Sequence, residues 1–173
     1  MKFFFMTPLV IILIVMLVFT AKLLESDSRE PSKLLGKEVP EFNLTDLHNP
    51  DEAFLSTELK GKYSLINIYG SWCISCRFEH PVLSYINENN ILPIYGIAWK
   101  DKPENTIAWL EKHGNPYFKT GVDEDGQTAI NFGVSGAPES YLISPNGIVV
   151  YSYSGPITKE ILNNEILPLV KEK

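Results

Sequence analysis

The chain holds two cysteines, and they stand three apart in Trp72-Cys73-Ile74-Ser75-Cys76, the spacing of a dithiol that can open and close a disulfide. Before them, Leu65-Ile66-Asn67-Ile68-Tyr69 is apolar, β-branched and aromatic, which predicts a buried strand ended by Gly70-Ser71. From Cys73 the pattern turns helical, with Phe78, Val82, Leu83 and Ile86 at spacings of three and four, so Cys73 is expected at or beside a helix N-terminus. There the unpaired N–H groups and the positive end of the helix dipole favour a thiolate, which makes Cys73 the expected nucleophile. Cys76, one turn on, is placed to attack a mixed disulfide at Cys73 and release the product. The chemistry implied is redox exchange.

Four other chemistries compete. A structural zinc needs four ligands, and His48, His80 and His113 are scattered, with only His80 near, so no metal is expected. Covalent haem attachment requires His directly after the second Cys, where Arg77 stands. A purely structural disulfide here closes a loop too short to restrict the unfolded chain much. A peroxide-reducing cysteine is compatible with a related fold, but the adjacent resolving Cys argues for dithiol exchange. The expected redox group is the Cys73–Cys76 disulfide itself, with no other cofactor.

The elements that must position the pair follow from periodicity and turn residues. Glu41-Phe42-Asn43-Leu44 predicts a short strand, Glu52 to Leu59 an irregular or edge segment, and Tyr63 to Tyr69 a core strand. The helix from Cys73 to about Glu88 contains Pro81, which removes a backbone bond and kinks it. Leu92 to Trp99 predicts a second buried strand, with Pro93 confined to its start. Pro103 opens a helix that Gly114 closes. Phe118 to Val122 is a short strand, Gln127 to Phe132 a short helix. Tyr141 to Ile143 and Ile148 to Tyr153 flank the hairpin turn Pro145-Asn146-Gly147, and Thr158 caps a last helix with Ile161, Leu162, Ile166 and Leu169 on its apolar face. Trp109 and Phe132 are expected in the core. The order implies an α/β fold, a central mixed sheet flanked by helices.

Phe3 to Ala21 is almost wholly apolar and uncharged, close to the ~20 residues of a membrane span. Lys2 precedes it, so residues 1–21 are expected to be an N-terminal transmembrane helix with the remainder exported. A cleaved signal peptide is the alternative, but the run is long for one and Phe19-Thr20-Ala21 lacks a small-x-small site. Residues 22–35 read as a charged, solvated tether, and 36–173 as one globular domain. From Lys22 onward there are 14 Lys plus Arg against 21 Asp plus Glu, net −7, which makes nucleic acid an unexpected partner. An exported domain without further cysteines leaves its one dithiol free for exchange.

Trp-Cys-x-x-Cys at a strand-to-helix junction, with Pro81 eight residues after Cys73, resembles thioredoxin. That likeness implies a thioredoxin-like fold and a cis-proline loop facing the dithiol, for which the candidate is Ala137-Pro138, offering backbone N–H and C=O groups to an extended substrate. A narrower likeness rests on Gly133-Val134-Ser135-Gly136-Ala137-Pro138-Glu139-Ser140, on Trp109-Leu110 with Gly114-Asn115-Pro116-Tyr117, and on Arg77-Phe78-Glu79-His80. These resemble the cytochrome c biogenesis thiol:disulfide interchange proteins of the CcmG/DsbE type, over essentially the whole chain. The resemblance implies a single-pass protein of the bacterial inner membrane with its C-terminal domain in the periplasm. It also implies a reductant of the haem-binding cysteines of apocytochrome c, or of a dithiol carrier serving it. A membrane electron donor relaying reducing equivalents from cytoplasmic thioredoxin is the implied second partner. Tethering raises the effective concentration of such partners.

Glu79 and Glu139 match acidic features of that family and are candidates for tuning a cysteine or relaying a proton, against a reading of Glu79 as a solvated carboxylate. Trp72 is expected to line the site, with an apolar face and an N–H for a docking peptide. Asn67 stands where thioredoxins commonly have a buried Asp, so another group or water must take the second thiol's proton. Ile74-Ser75 has no proline and leaves the potential open. Sequence leaves two rival functions standing: a periplasmic disulfide oxidant on the same fold, and an apocytochrome-binding module with an incidental dithiol. If the Ser75 hydroxyl stabilises the Cys73 thiolate, Ser75→Ala moves the thiolate absorbance titration; an unchanged titration removes that role.

Overall fold

The computed structural model describes residues 7–25 and 32–171. The chain divides at Glu30/Pro31 into two units. The first contains helix α1 (Thr7–Glu25), which runs four residues past the expected end of the anchor because Lys22, Leu23, Leu24 and Glu25 are all good helix formers. Its side chains are described from residue 8 to 21, about 21 Å of helix at 1.5 Å per residue, and they are exposed apolar groups for most of that length. Among the described residues no helix is long and apolar enough to cross a membrane. Phe3 to Met6 of the expected anchor, and Ser26 to Pro31 of the expected tether, lie outside the described residues.

The second unit is built on one seven-stranded mixed sheet. Its strands are β1 (Asn43–Asp46), β2 (Ala53–Leu55), β3 (Ser64–Tyr69), β4 (Ile94–Trp99), β5 (Lys119–Asp123), β6 (Glu139–Ile143) and β7 (Val149–Ser154), in the spatial order β2-β1-β5-β4-β3-β6-β7. The central β3, β4 and β5 run parallel, while β6 pairs antiparallel with β3 and β7 with β6. β3 is buried at every residue, the pattern of a strand covered on both faces. The first strand lies two residues later than its sequence suggested. Phe42 packs in the core from just outside it, and β1 is set by pairing with β2 and β5.

A 3₁₀ turn, Ser56–Leu59, and helices α2 (Cys76–Glu88), α3 (Pro103–His113), α4 (Gln127–Phe132), α5 (Lys159–Ile161) and α6 (Leu167–Lys171) complete the unit, with a π-helical turn, Leu162–Ile166, between the last two. Thr158 caps α5 by accepting the Ile161 N–H at 3.2 Å. One core layer joins Val82, Leu83 and Ile86 of α2, Trp109 and Leu110 of α3, and Ile161 and Ile166 to Leu65, Tyr69 and both cysteines. The other gathers Phe42, Phe54, Phe132, Tyr141 and Ile143 beneath the opposite face. Phe78 departs from its expected place in the apolar stripe of α2. It is 72% exposed and lines an open groove of ≈ 430 Å³ with Ile74, Arg77, His80, Pro81 and His113. Spacing alone could not separate it from Val82, because Phe78 shares a turn with both the groove and the core face.

Ser32 to Leu35, expected in the tether, border β7: the Ser32 N–H reaches Ser152 Oγ at 3.3 Å, and Gly36 N–H the Val149 carbonyl at 2.8 Å. Beneath the dithiol end, Tyr69 stacks on Tyr117 with centroids 4.6 Å apart. They fit because Gly96 has no Cβ; one added there would stand 2.8 Å from Tyr69 and 2.9 Å from Thr120. Gly96→Ala is therefore expected to destabilise the fold by about 1–3 kcal/mol through overpacking, read as a lower urea midpoint at unchanged slope. An unchanged midpoint contradicts this packing.

Candidate active site

β3 ends at Tyr69 and the chain folds back over Gly70, where an added Cβ would lie 2.5 Å from Trp72 Nε1. The Cys73 N–H closes the turn on the Gly70 carbonyl at 3.0 Å. α2 begins at Cys76, with Ser75 as its cap, and not at Cys73. The bonds Arg77 N–H to Ile74 O and Phe78 N–H to Ser75 O are single turns leading into it. Cys73 thus sits just outside the helix, and an orphan N–H of its first turn, that of Cys76, points at Cys73 Sγ at 3.1 Å. This is the donor that a thiolate at Cys73 would use. The two cysteines form a disulfide with Cα atoms 5.4 Å apart, and both are buried.

Pairing of Ile68 with Glu139 brings the segment after β3 and the segment before β6 out at one end of the sheet. There the Ala137–Pro138 peptide is cis, and Ala137 packs against the cluster that holds both cysteines. The Pro138 carbonyl accepts the Gly155 N–H at 2.9 Å. The N–H and C=O of Ala137 have no partner among the described residues. Trp72 is half-exposed beside the dithiol, but its indole N–H donates to the Trp99 carbonyl at 3.2 Å. The N–H expected for a docking peptide is therefore occupied, and the ring presents its apolar face alone.

Glu79 is buried, not solvated, at 1% exposure. Its Oε1 accepts the Asn67 amide at 2.8 Å and its Oε2 the Ile157 N–H at 2.9 Å. Desolvation outweighs those bonds and pushes its pKa up to about 7. Asn67, fully buried, also donates to Ser140 Oγ at 2.9 Å and accepts from the Tyr117 hydroxyl at 2.8 Å. Glu79 and Cys76 lie one turn apart, both on the buried side of α2. Glu139 is elsewhere. Side chains alternate along a strand, so while Ser140 meets Asn67 on the dithiol face, Glu139 points to the opposite one and accepts from the Tyr141 hydroxyl at 2.7 Å. The structure brings Glu79 and Asn67 to the dithiol's side of the sheet and does not bring the Glu139 carboxylate there. Ser75 is exposed and its hydroxyl makes no cap bond. Among the described residues no three His, Cys, Asp or Glu side chains gather as a metal site.

Sequence reasoning missed Trp99 and Asp101, which hold Trp72 and Ser71 before Cys73, and Tyr117 and Ser140, which complete the Asn67 knot. Tyr117 and Ser140 belong to the segments Gly114 to Tyr117 and Gly133 to Ser140 that carry the family likeness; Asp101 and Trp99 meet Ser71 and Trp72 only through the fold.

Residues 35–152 match the AhpC/TSA family. The chain is 37% identical over 94% of its length to the thiol:disulfide interchange protein DsbE of Xylella fastidiosa, covering 83% of that protein. It is 38% identical over 95% of its length to DsbE of Pseudomonas aeruginosa, covering 91%. A secreted thiol-disulfide isomerase of Corynebacterium glutamicum shares the fold at TM-score 0.68 and 20% identity, with 78% of this chain and 86% of that one covered. A cysteine pair at the start of a helix, beside a cis-proline loop on a mixed α/β sheet, is the thioredoxin-like arrangement, and with these relatives the chain belongs to the DsbE-type thiol:disulfide interchange proteins, oxidoreductases of the AhpC/TSA family.

Proposed function

We propose that the protein is a periplasmic dithiol reductant, anchored in the inner membrane by residues 1–21, that keeps apocytochrome c haem-binding cysteines, or a dithiol carrier serving them, reduced. The observation that carries this reading is the identity of 37% over 94% of the chain with a DsbE protein, together with the Gly133 to Ser140 loop that resembles the cytochrome c biogenesis type. The segment between α1 and the second unit, which begins at Pro31, keeps that unit near membrane partners. The redox-active group is the Cys73–Cys76 pair, and no other cofactor is required.

In the reducing direction the Cys73 thiolate attacks one sulfur of the client disulfide. A Cys73–client bond forms, the client S–S bond breaks, and the departing client thiolate takes a proton. Ala137, whose N–H and C=O have no partner among the described residues, pairs with the extended client backbone, while Trp72 and Ile74 cover its flanks. Cys76, deprotonated, then attacks Cys73 Sγ; the second client thiolate leaves and is protonated, and the Cys73–Cys76 disulfide closes. A membrane donor reverses the sequence and returns two electrons. Asn67 cannot act as a base, so Glu79, one turn from Cys76, takes the Cys76 proton. A carboxyl titrating near 7 is matched to that task.

In cells, Cys76→Ala is expected to trap client proteins on Cys73 as mixed disulfides. Recovery of a haem-ligation component supports the reading; recovery of many unrelated secreted proteins, or peptide binding indifferent to both cysteines, overturns it. Because Glu79 acts as its anion, release from a preformed Cys73 mixed disulfide should rise with pH through about 7. Glu79→Gln should slow that release by about 100-fold at neutral pH and flatten the profile, measured by stopped-flow; an unchanged profile removes Glu79 as the base.

A further inference from the structure

Between β4 and α3 the chain turns a corner through Trp99, Lys100 and Asp101. Lys100 adopts the left-handed conformation, φ 48°, which is unfavourable for a residue with a Cβ, and its N–H is held by the Asp123 carbonyl at 2.8 Å. The corner turns its acceptors toward the two residues that precede Cys73. Asp101 takes the Ser71 N–H on Oδ2 at 2.6 Å and the Ser71 hydroxyl on Oδ1 at 2.9 Å. The Trp99 carbonyl takes the Trp72 indole N–H. Asp101 is itself buried, and the Lys102 N–H and the Thr106 hydroxyl, both at 3.0 Å, satisfy its remaining lone pairs. A carboxylate at that depth is tolerated only when so completely bonded.

We infer that Asp101 is a positioning residue for the dithiol. Through both polar groups of Ser71 it pins the turn from Gly70 to Cys73, and that turn decides whether Cys73 Sγ lies on the Cys76 N–H. None of its bonds is to a cysteine, so it acts only through Ser71. An N–H bond to sulfur weakens steeply with misalignment. Freeing the turn therefore lowers the stability of the Cys73 thiolate, which exists only in the reduced protein, and shifts the dithiol/disulfide balance toward the disulfide. The inference rests on exchange at Cys73 and Cys76, and is independent of the client and direction proposed for it.

The test is a double-mutant cycle on the full chain with two readouts: the Cys73 thiolate titration, and equilibration in which protein disulfide plus two glutathione thiols gives protein dithiol plus glutathione disulfide. Loss of the hydroxyl bond in Ser71→Ala should shift the equilibrium constant toward disulfide by about threefold and raise the Cys73 titration point. In an Asp101→Ala background, where no side-chain acceptor remains, the same Ser71→Ala change should have no further effect, because its partner is already lost. Ser71→Thr, which keeps the hydroxyl, should restore the constant to within about twofold of the parent. The inference is overturned if Ser71→Ala leaves both readouts unchanged, or shifts them equally with and without Asp101. A lowered denaturation midpoint with an unmoved constant also overturns it, since Asp101 would then be structural only. Should Asp101→Ala fail to fold, the contrast between Ser71→Ala and Ser71→Thr decides alone.

Discussion

An amide hydrogen pointing at a sulfur is the constraint on which the rest of the structure turns. The Cys76 N–H is one of the donors that a helix leaves unpaired in its first turn, and it lies 3.1 Å from Cys73 Sγ. For that geometry the strand must end at Tyr69 and the helix begin at Cys76, and the intervening corner must be compact. Gly70 allows Trp72 to fold back over the chain, the Gly70 carbonyl takes the Cys73 N–H, and the β4–α3 corner fixes Ser71 and Trp72 from the side. The parallel β3–β4 pair is what carries that corner to the cysteines, since Tyr69 and Ala98 stand opposite each other in the register.

Asn67 and Glu79 are best understood together. A buried Asp at position 67 would face a buried Glu79, and two carboxylates at hydrogen-bonding distance cannot both ionise. The amide instead donates to Glu79 and Ser140 and accepts from Tyr117, which a carboxylate could not do. The departure from the thioredoxin pattern at 67 thus has its counterpart on α2, where the acidic group has moved one turn beyond Cys76. Glu139, although adjacent to the cis-proline, answers to the other core layer through Tyr141, so of the two acidic residues expected near the dithiol only Glu79 lies on its side of the sheet.

The sheet and the dithiol were legible because they rest on local signals. A β-branched run broken by Gly-Ser, a proline at a helix start and an Asn-Gly hairpin each declare themselves within a few residues. What stayed hidden depended on partners far along the chain. Asp101 carries no local signal in the sequence, and its contact with Ser71 exists only once β3 and β4 pair. Helical periodicity put Phe78 on the core stripe because it cannot tell a residue at the margin of the stripe from one within it. The helix start was placed one turn early for a related reason: Cys73 belongs to the turn that feeds the helix, and that turn carries no residue type that excludes helix.

Burial of the cysteines and exposure of their neighbours have a joint consequence. Cys73 and Cys76 are 4% and 2% exposed, whereas Trp72, Ile74 and Phe78 are 51%, 73% and 72% exposed. A small thiol that collides with this surface meets apolar side chains far more often than sulfur. On the proposed function, an extended client that covers those side chains and pairs with the backbone of Ala137 is carried to Cys73 by interactions independent of the disulfide bond itself. Encounter is therefore selected by shape and apolar contact, and reactivity is set separately, beneath that surface, by the Cys76 N–H and the knot around Asn67. Separating the two lets the outer residues change with the client while the sulfur chemistry stays fixed.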